Sequence, residues 1–262
     1  MLRAHLHAFL DGIRGEDRYR IFTDLERHAD HPPYATWHRG ASRREVVVWC
    51  SNDYLGMGRH PAVINAMIET ALRTGAGAGG TRNISGNSHA VVMLEAELAD
   101  LHRKEAALAF SSGYVANEAA LGTIGRLLPD CLILSDQKNH ASMIAGIRAS
   151  GAEKRIFRHN DLDHLEELLQ EIERSRPKVI AFESLYSTDG DIAPIGDICD
   201  LADQYGAPDL PRRSSCRRPL WQARRRDCRA RRGHGARRRH RGNLGKRLWC
   251  HGRVYCGGPG DL

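Results

Sequence analysis

A serine- and glycine-containing turn in the middle of the chain has the composition of an anion-binding site. Ser111-Ser-Gly-Tyr114 lies between an apolar segment and a predicted helix. Hydroxyl groups and free backbone N–H groups at the start of a helix attract anions, and a phosphate suits such a site. The same residues also fit an ordinary capped helix start, so this tetrapeptide alone leaves both interpretations open.

Three further features could bind a cofactor or substrate, and each has a structural alternative. His140 follows a short predicted strand and could stack on a planar cofactor, although an isolated histidine is more often structural. Arg18 and Arg20 could clamp carboxylates through bidentate hydrogen bonds, or could simply face solvent. The loop Gly75–Gly80 permits close backbone approach to a ligand, but it is neither a GxGxxG motif nor a P-loop and does not predict a nucleotide.

The cysteines do not indicate a metal site. Three of them are scattered through residues 1–207, as expected for reduced thiols in the cytoplasm. Cys250, His251 and Cys256 lie close in sequence, but they include no CxxC pair and have no second ligand pair at zinc spacing. We therefore predict that the protein holds no metal.

Helices and short apolar strands alternate around the residues named above. Apolar residues at helical spacing predict helices over 91–101, 115–127, 139–150, 161–175 and 195–205. Apolar runs predict strands over 131–135, 153–157 and 178–184. This alternation predicts a parallel α/β sheet, whose ligands bind at the carboxyl ends of the strands, where polar residues 135–140 and 184–191 lie.

The composition of the 262-residue chain changes near residue 208. Residues 208–262 contain 17 Lys and Arg against 3 Asp and no Glu, a net charge of +14, whereas residues 1–207 carry −7. No apolar run is long enough for a membrane-spanning helix, and the first residues lack the apolar core of a secretory signal. We predict a cytoplasmic protein with a helical or extended segment (1–45), a large-domain fragment (46–207) and an Arg-rich tail (208–262).

Five sequence blocks occur in an order that is typical of one enzyme family. The blocks are Trp49–Gly56 (WCSNDYLG), Gly77–Gly86 (GAGGTRNISG), Leu94–Leu101 (LEAELADL), Asn139–Met143 (NHASM) and Phe182–Gly190 (FESLYSTDG). Together they resemble the pyridoxal-phosphate α-oxoamine synthases. The NDYLG, NHAS and ESLYSxDGD blocks are shared across that family, whereas TRNISG and an RYR near the start point to its 5-aminolevulinate synthase branch.

The resemblance implies an α/β protein of the aminotransferase-like PLP fold type I. We expect an incomplete large domain with a mainly parallel sheet, without the family's C-terminal small domain. The implied reaction condenses glycine with succinyl-CoA to 5-aminolevulinate, CoA and CO2, the first step of tetrapyrrole and heme biosynthesis. The implied partners are these substrates and a second subunit of a homodimer, with no nucleic acid and no membrane. The alternative enzymes are 2-amino-3-ketobutyrate CoA ligase and 8-amino-7-oxononanoate synthase.

The resemblance also implies roles for individual residues. Ser112, Gly113 and Tyr114 would hold the phosphate of pyridoxal 5'-phosphate. His140 would stack on its ring and take part in catalysis, while Ser187 would bond near the phenolic oxygen. The residues expected to bind substrate are Arg20, Asn52, Thr81, Asn83, Ser135 and Lys154. An anionic acyl end requires a cation, and CoA phosphates suit lysine.

The resemblance stops at residue 207. The family continues with a strand like LTYLDEVHAVG, whose Asp pairs with the pyridinium nitrogen and whose His lies beside the phenolic oxygen, but this chain has Arg212 and Ser215 there. Permitted codons from Pro208 onward, read one base later, encode LTYLDEVHAVGLY, so we infer a frame error. GNLGK at Gly242–Lys246 resembles the family's GTLGK, which makes Lys246 the expected Schiff-base lysine. We expect the chain as it stands to be inactive and its tail to be poorly packed.

Two other interpretations of the tail compete with a frame error. An Arg-rich arm with a net charge of +14 would bind nucleic acid without sequence preference. In the second interpretation, the chain is a degenerate, noncatalytic member of the family that acts as a binding partner. Neither explains why family sequence is recovered one base out of frame.

Overall fold

The computed structural model describes residues 1–102 and 104–207, together with the backbone of short strands over 209–213, 249–251 and 254–257. The chain divides into two compact units, Met1–Ala76 and Gly77–Leu262. The boundaries expected from the sequence, after residues 45 and 207, stay predictions. No helix within the described residues is long and apolar enough to cross a bilayer.

The first unit contains two helices and a three-stranded antiparallel sheet. Its elements are α1 (Leu2–Gly15), β1 (Asp24–Arg27), β2 (Tyr34–Arg39), β3 (Ser42–Val47), a 3-10 turn (Met57–Arg59) and α2 (Pro61–Thr74). The strand order is β1-β2-β3. Pro61 occupies the first position of α2, where a missing N–H costs nothing, and His60 accepts the Ala62 N–H at 3.2 Å. Neither helix buries a residue.

The second unit is a three-layer α/β structure with a mixed, mainly parallel sheet. Its helices are α3 (His89–His102), α4 (Gly113–Leu127), α5 (Ala141–Ser150), α6 (Leu162–Gln170) and α7 (Ile195–Tyr205), with a π-turn over Arg82–Gly86. Its strands are β4 (Ala106–Ala109), β5 (Leu132–Asp136), β6 (Glu153–Phe157), β7 (Lys178–Glu183), β8 (Asp209–Arg213), β9 (Trp249–His251) and β10 (Val254–Gly257). They lie in the order β4-β10-β9-β8-β7-β5-β6, with β5 to β9 parallel and β10 antiparallel to its neighbours. The predicted α/β class and mainly parallel sheet are confirmed.

Helices cover both faces of β5 and β7, which explains why these strands are continuous apolar runs. Alternate residues of each strand point to opposite faces. Leu134 and Phe182 pack with residues of α6 and α7 in one core cluster. Ile133 and Val179 pack with residues of α4 and α5 in the other. The carboxyl ends of β5 and β7 are therefore anchored by core on both sides.

Three segments beyond residue 207 lie in the sheet, but the burial of their side chains is outside what the structure describes, so the expectation of a poorly packed tail stays a prediction. β8 pairs in parallel with β7, β9 pairs in parallel with β8, and β10 pairs with β4. Strand pairing uses backbone N–H and C=O groups, which an Arg-rich segment supplies as well as an apolar one. Pro211 has no N–H, and proline is unusual in a strand with neighbours on both sides. Backbone pairing alone therefore does not decide between a frame error and a genuine continuation of the chain.

Glycines allow α4 and α5 to approach each other closely. A Cβ added to Gly146 would lie 2.9 Å from the Asn117 carbonyl oxygen and 3.0 Å from Glu118 Cα, both in the backbone of α4. A Cβ added to Gly122 would lie 3.6 Å from its nearest neighbour, the Gly146 carbonyl oxygen, which is ordinary contact. The two positions therefore differ in their tolerance of alanine.

We expect Gly146→Ala to lower the free energy of unfolding by about 1–2 kcal/mol, because overpacking against backbone outweighs the better helix propensity of alanine. Gly122→Ala is the matched control and should be neutral or stabilising by up to ~1 kcal/mol. Urea unfolding of both variants, followed by circular dichroism, measures the difference. Equal midpoints for the two variants would contradict the packing argument.

Candidate functional site

A cavity of about 330 Å³ lies at the carboxyl ends of β5 and β7, the edge where ligands bind in open α/β sheets. Its lining residues are Lys138, Asn139, His140, Ala141, Glu183, Tyr186, Ser187, Thr188 and Asp189. The structure thus brings together His140 and Ser187, two residues that the sequence assigned to the cofactor. A larger cavity of about 490 Å³, beside Arg27 and Arg59 in the first unit, contains none of the predicted site residues.

The imidazole of His140 is oriented by hydrogen bonds from α4 and α5. Nδ1 accepts the Ser142 backbone N–H at 3.1 Å and lies 2.7 Å from Ser142 Oγ. That hydroxyl in turn accepts from Asn117 Nδ2 at 2.8 Å. The His140 backbone N–H donates to Glu183 Oε1 at 2.6 Å. Since a backbone N–H can only donate, Nδ1 is the acceptor and the ring proton is on Nε2.

Asn139 connects the two strands beneath the cavity. Its Nδ2 donates to Ser135 Oγ at 2.9 Å and to the Ala181 carbonyl oxygen at 2.7 Å. Asn139 is 5% exposed, yet its Oδ1 has no hydrogen-bond partner among the described residues. Ser135 is itself 6% exposed. The structure therefore places Ser135, a predicted substrate residue, below the cavity as a support for Asn139.

The start of α4 is a capped helix start, and its role as an anion site stays a prediction; Ser112, Gly113 and Tyr114 are not among the residues that line the cavity. Ser112 is the N-cap, and its Oγ accepts the Val115 N–H at 3.2 Å. The first turn leaves the N–H groups of Gly113 and Tyr114 without intrahelical acceptors, and the helix dipole favours negative charge beside them. The Tyr114 ring meets the His140 ring edge-on, with centroids 6.3 Å apart. The start of α4 therefore lies beside His140.

A buried polar cluster behind the cavity was not predicted from the sequence. His159 Nδ1 lies 2.9 Å from Asp136 Oδ1, and its Nε2 lies 3.2 Å from Asp191 Oδ2. The Tyr186 ring meets this imidazole edge-on at 4.4 Å between centroids. Burial, together with the nearby Asp136 charge, raises the pKa of the Tyr186 phenol, which stays protonated. Asp136, the last residue of β5, and Asp191, in the segment after β7, were the available signal for this cluster.

A sequence model of the family described as aminotransferase class I and II matches residues 44–208. The chain belongs to this family. The match ends at the residue where the composition of the chain changes, as the out-of-frame interpretation of the tail requires.

Curated relatives narrow the position of the chain within the aminotransferase family. It is 62% identical over 201 residues to a 5-aminolevulinate synthase of Bradyrhizobium diazoefficiens, covering 77% of this chain and 49% of the relative. It is 58% identical over 198 residues to a 5-aminolevulinate synthase of Rhizobium meliloti, covering 76% and 49%. The chain spans about half the length of the curated relatives it matches.

Solved structures show the same fold. The chain superimposes with a TM-score of 0.68 and 30% identity on serine palmitoyltransferase K265A from S. paucimobilis with a bound PLP–myriocin aldimine, over 79% of this chain and 52% of that one. A Sphingomonas wittichii serine palmitoyltransferase gives a TM-score of 0.69 at 28% identity, over 79% and 50%. The PLP-dependent, aminotransferase-like fold expected from the sequence is thereby confirmed.

Two predicted acyl-donor residues of this aminotransferase-family chain lie on a tight loop. Thr81 precedes the π-turn, and its carbonyl oxygen accepts the Gly86 N–H at 2.8 Å. Asn83 lies within the turn and is exposed. A Cβ on Gly86 would lie 1.8 Å from the Gly80 carbonyl oxygen. Gly86 therefore serves the loop's own close backbone approach, which accounts for this glycine without a ligand.

The remaining predicted substrate residues do not line the cavity. Lys154 is exposed on β6 and pairs in register with Ile133, toward the amino end of the sheet. Arg20 and Asn52 are exposed residues of the first unit. Arg18, the other candidate clamp, pairs with Glu16 Oε2 at 3.0 Å.

Of the three tail positions singled out in the sequence, the structure describes only position 212, and only its backbone. Lys246, the expected Schiff-base lysine, lies outside the described residues, as does Ser215. The backbone of Arg212 is described, and it pairs in register with Glu183 at the end of β7. Position 212 therefore lies at the same sheet edge as the cavity, in the strand next to Glu183.

Proposed function

We propose that residues 1–207 are the N-terminal part of a 5-aminolevulinate synthase, which condenses glycine with succinyl-CoA to 5-aminolevulinate, CoA and CO2. One observation carries the proposal: 62% identity over 201 residues to an enzyme of that name. The TRNISG block, which the sister synthases do not share, supports this branch of the family. The cavity beside His140 and Ser187 supports the chemistry.

Pyridoxal 5'-phosphate is the cofactor that these residues fit. The amides of Gly113 and Tyr114 would bind its phosphate. The neutral ring of His140, already oriented by Ser142, would lie against its ring. Ser187 opens into the same cavity and would donate a hydrogen bond near the phenolic oxygen. When bound, the cofactor supplies an electron sink for the carbanion formed at glycine Cα.

The protein's own groups would bind and orient the two substrates. Arg20 would hold the carboxylate at the far end of the succinyl group, because a guanidinium binds a carboxylate through two hydrogen bonds. Lys154 would meet a CoA phosphate as a point charge. Thr81 and Asn83 would contact the acyl donor from the loop before α3. Asn52 would lie beside glycine, and Lys246 would move the proton at its Cα.

A chimera tests this proposal. It joins residues 1–207 of this chain to the C-terminal half of the Bradyrhizobium relative and is assayed with glycine and three acyl donors. We expect turnover with succinyl-CoA at a kcat/KM at least about tenfold above that with acetyl-CoA or pimeloyl-CoA, because only the succinyl group presents a carboxylate at the right length. Preference for acetyl-CoA would indicate a 2-amino-3-ketobutyrate CoA ligase, and preference for the pimeloyl donor an 8-amino-7-oxononanoate synthase.

We propose that the whole enzyme is a cytoplasmic homodimer. The described cysteines, Cys50, Cys131 and Cys199, are free thiols, which suits a reducing compartment. Large apolar side chains of the first unit, such as Leu72 at 84% and Trp49 at 92% exposure, offer surface that a second subunit could cover. Light scattering of the chimera measures its subunit number.

A further inference from the structure

An ion pair ties the loop over Thr81–Asn87, here called the acyl-donor loop, to α3. Arg82 NH1 lies 2.7 Å from Glu95 Oε1, and Arg82 NH2 lies 2.8 Å from Glu95 Oε2, so the contact is bidentate. The same guanidinium donates to Asn87 Oδ1 from Nε at 3.0 Å and from NH2 at 2.9 Å. One side chain therefore closes the loop on itself and attaches it to a helix.

The ion pair also holds the last residue of β4. The Ala109 backbone N–H donates to Glu95 Oε1 at 2.6 Å, and the Ala109 carbonyl oxygen accepts from Arg82 NH1 at 3.3 Å. β4 stands at one end of the described strand order, so its outer backbone groups need partners other than a strand. Three residues later the chain reaches Ser112 and the anion site at the start of α4. The pair thus connects the acyl-donor loop to the segment that begins this site.

Burial and charge make this a stronger contact than an ordinary surface pair. The side chain of Glu95 is 14% exposed and that of Arg82 is 37% exposed. The hydrogen bonds from Arg82 lower the pKa of the Glu95 carboxyl, and those to Glu95 raise the pKa of Arg82. Arginine supplies a planar fork that matches both carboxylate oxygens, which lysine cannot reproduce. The contact therefore specifies a geometry as well as a charge.

We propose that Arg82 and Glu95 are positioning residues that fix the acyl-donor loop and the anion-site turn relative to each other. They would set where Thr81 and Asn83 meet an acyl-CoA without touching it themselves. This role rests on the proposed function, since it assigns the loop to the acyl donor. The structural part of the proposal is that one ion pair orders both loops, and this part can be tested without measuring turnover.

Hydrogen exchange of the full chain tests the structural part. Arg82→Lys keeps the charge but loses the fork, and Glu95→Gln keeps an acceptor for Ala109 but loses the ion pair. We expect amide exchange over 81–87 and over 109–113 to rise together by roughly tenfold in both variants, because a charge-assisted contact is lost. Glu171→Gln is the matched control, since Glu171 is 65% exposed and accepts from Arg155 NH1 at 2.8 Å. It should leave both segments unchanged.

Kinetics of the chimera test the functional part. In Arg82→Lys and Glu95→Gln the KM for succinyl-CoA is expected to rise about tenfold, while the KM for glycine changes less than about twofold. A merely structural role would alter both constants alike, or lower kcat alone, and would overturn the assignment to the acyl donor.

The remaining outcomes separate this inference from the proposed function. Unchanged exchange over 81–87 overturns the positioning role whatever the chimera does. If the chimera uses none of the acyl donors, the proposed function fails and exchange alone decides whether the ion pair orders the two loops. If Glu95→Gln also exchanges faster in β5 and β7, that variant is generally unfolded. The exchange of the milder Arg82→Lys variant over 81–87 and 109–113 then decides whether the ion pair orders the two loops.

Discussion

The 262-residue chain, expressed as it stands, is expected to retain no pyridoxal phosphate after desalting and to make no 5-aminolevulinate, whereas the chimera does both. By the resemblance, position 212 carries arginine where the carboxylate that pairs with the ring nitrogen is expected. A positive charge there disfavours the protonated ring, and the electron sink needs that proton. An absorbance scan for bound cofactor and a colorimetric aminolevulinate assay measure both properties.

A matched variant of the chimera isolates position 212 from the rest of the tail. Returning arginine to that one position should abolish turnover to below about 1% and weaken cofactor retention, since neighbouring positive charges disfavour protonation of the ring. If the unaltered 262-residue chain instead binds the cofactor and turns over, the prediction for that chain is wrong and the tail is a working part of the enzyme.

Two observations point in opposite directions on the origin of the tail. β8 extends the sheet beside β7, as a genuine strand of the family would. However, the family match ends at residue 208, and the sequence of β8, DLPRR, places a proline inside the sheet. Resequencing the gene across codons 205–250 separates the two: a gene that lacks one base near codon 208, and so encodes LTYLDEVHAVG in frame, supports a frame error in the sequence, whereas a gene that keeps every base shows that the Arg-rich tail is encoded as it stands.

Several elements of the second unit were predictable, above all β5 and β7, which are completely buried. Residues 153–157 and 195–205 form β6 and α7 at the predicted bounds. Asp161 caps α6, as its position before the amphipathic run indicated, with Oδ1 accepting the His164 N–H at 2.9 Å. Apolar runs such as that of β7 can only be buried strands or buried helices, and their length favours strands.

The antiparallel sheet of the first unit was missed for a physical reason. β1 and β3 are largely exposed on both faces, so no alternation of apolar and polar residues marks them. By contrast, α2 carried a usable signal that was overlooked: Pro61 at the first helical position, followed by Ile64, Met67 and Ile68 at helical spacing.

The sequence predicted individual residues of the candidate site, but it did not predict the hydrogen bonds between them. The motif residues His140 and Ser187 do share a cavity. The polar contacts at this edge of the sheet join residues far apart in sequence, such as Asn117 with Ser142 and His159 with Asp136. No local pattern encodes such pairs, because they depend on which strands become neighbours in the sheet.

Replacing Arg20 in the chimera is expected to change the choice of acyl donor. Arg20→Leu should raise the KM for succinyl-CoA roughly 10- to 150-fold and that for glycine less than about twofold, because a charge-assisted hydrogen bond contributes about 1.5–3 kcal/mol. Arg20 is exposed in the first unit, so its guanidinium is available to a ligand. Steady-state kinetics with each substrate varied in turn provide the measurement.

Butyryl-CoA is the matched substrate for this test, because it has the same chain length as succinyl-CoA with a methyl group in place of the carboxylate. The KM for butyryl-CoA should be almost unchanged by Arg20→Leu, so the preference for succinyl-CoA collapses. The KM for succinyl-CoA of Arg20→Lys should lie between the values of the unaltered chimera and of Arg20→Leu, because lysine keeps the charge without the bidentate fork. Arg18→Leu should have a smaller effect, because Arg18 is already paired with Glu16 at 3.0 Å. If Arg20→Leu raised the KM of both acyl donors equally, Arg20 would not bind the succinyl carboxylate, and another cation would have to be sought for that role.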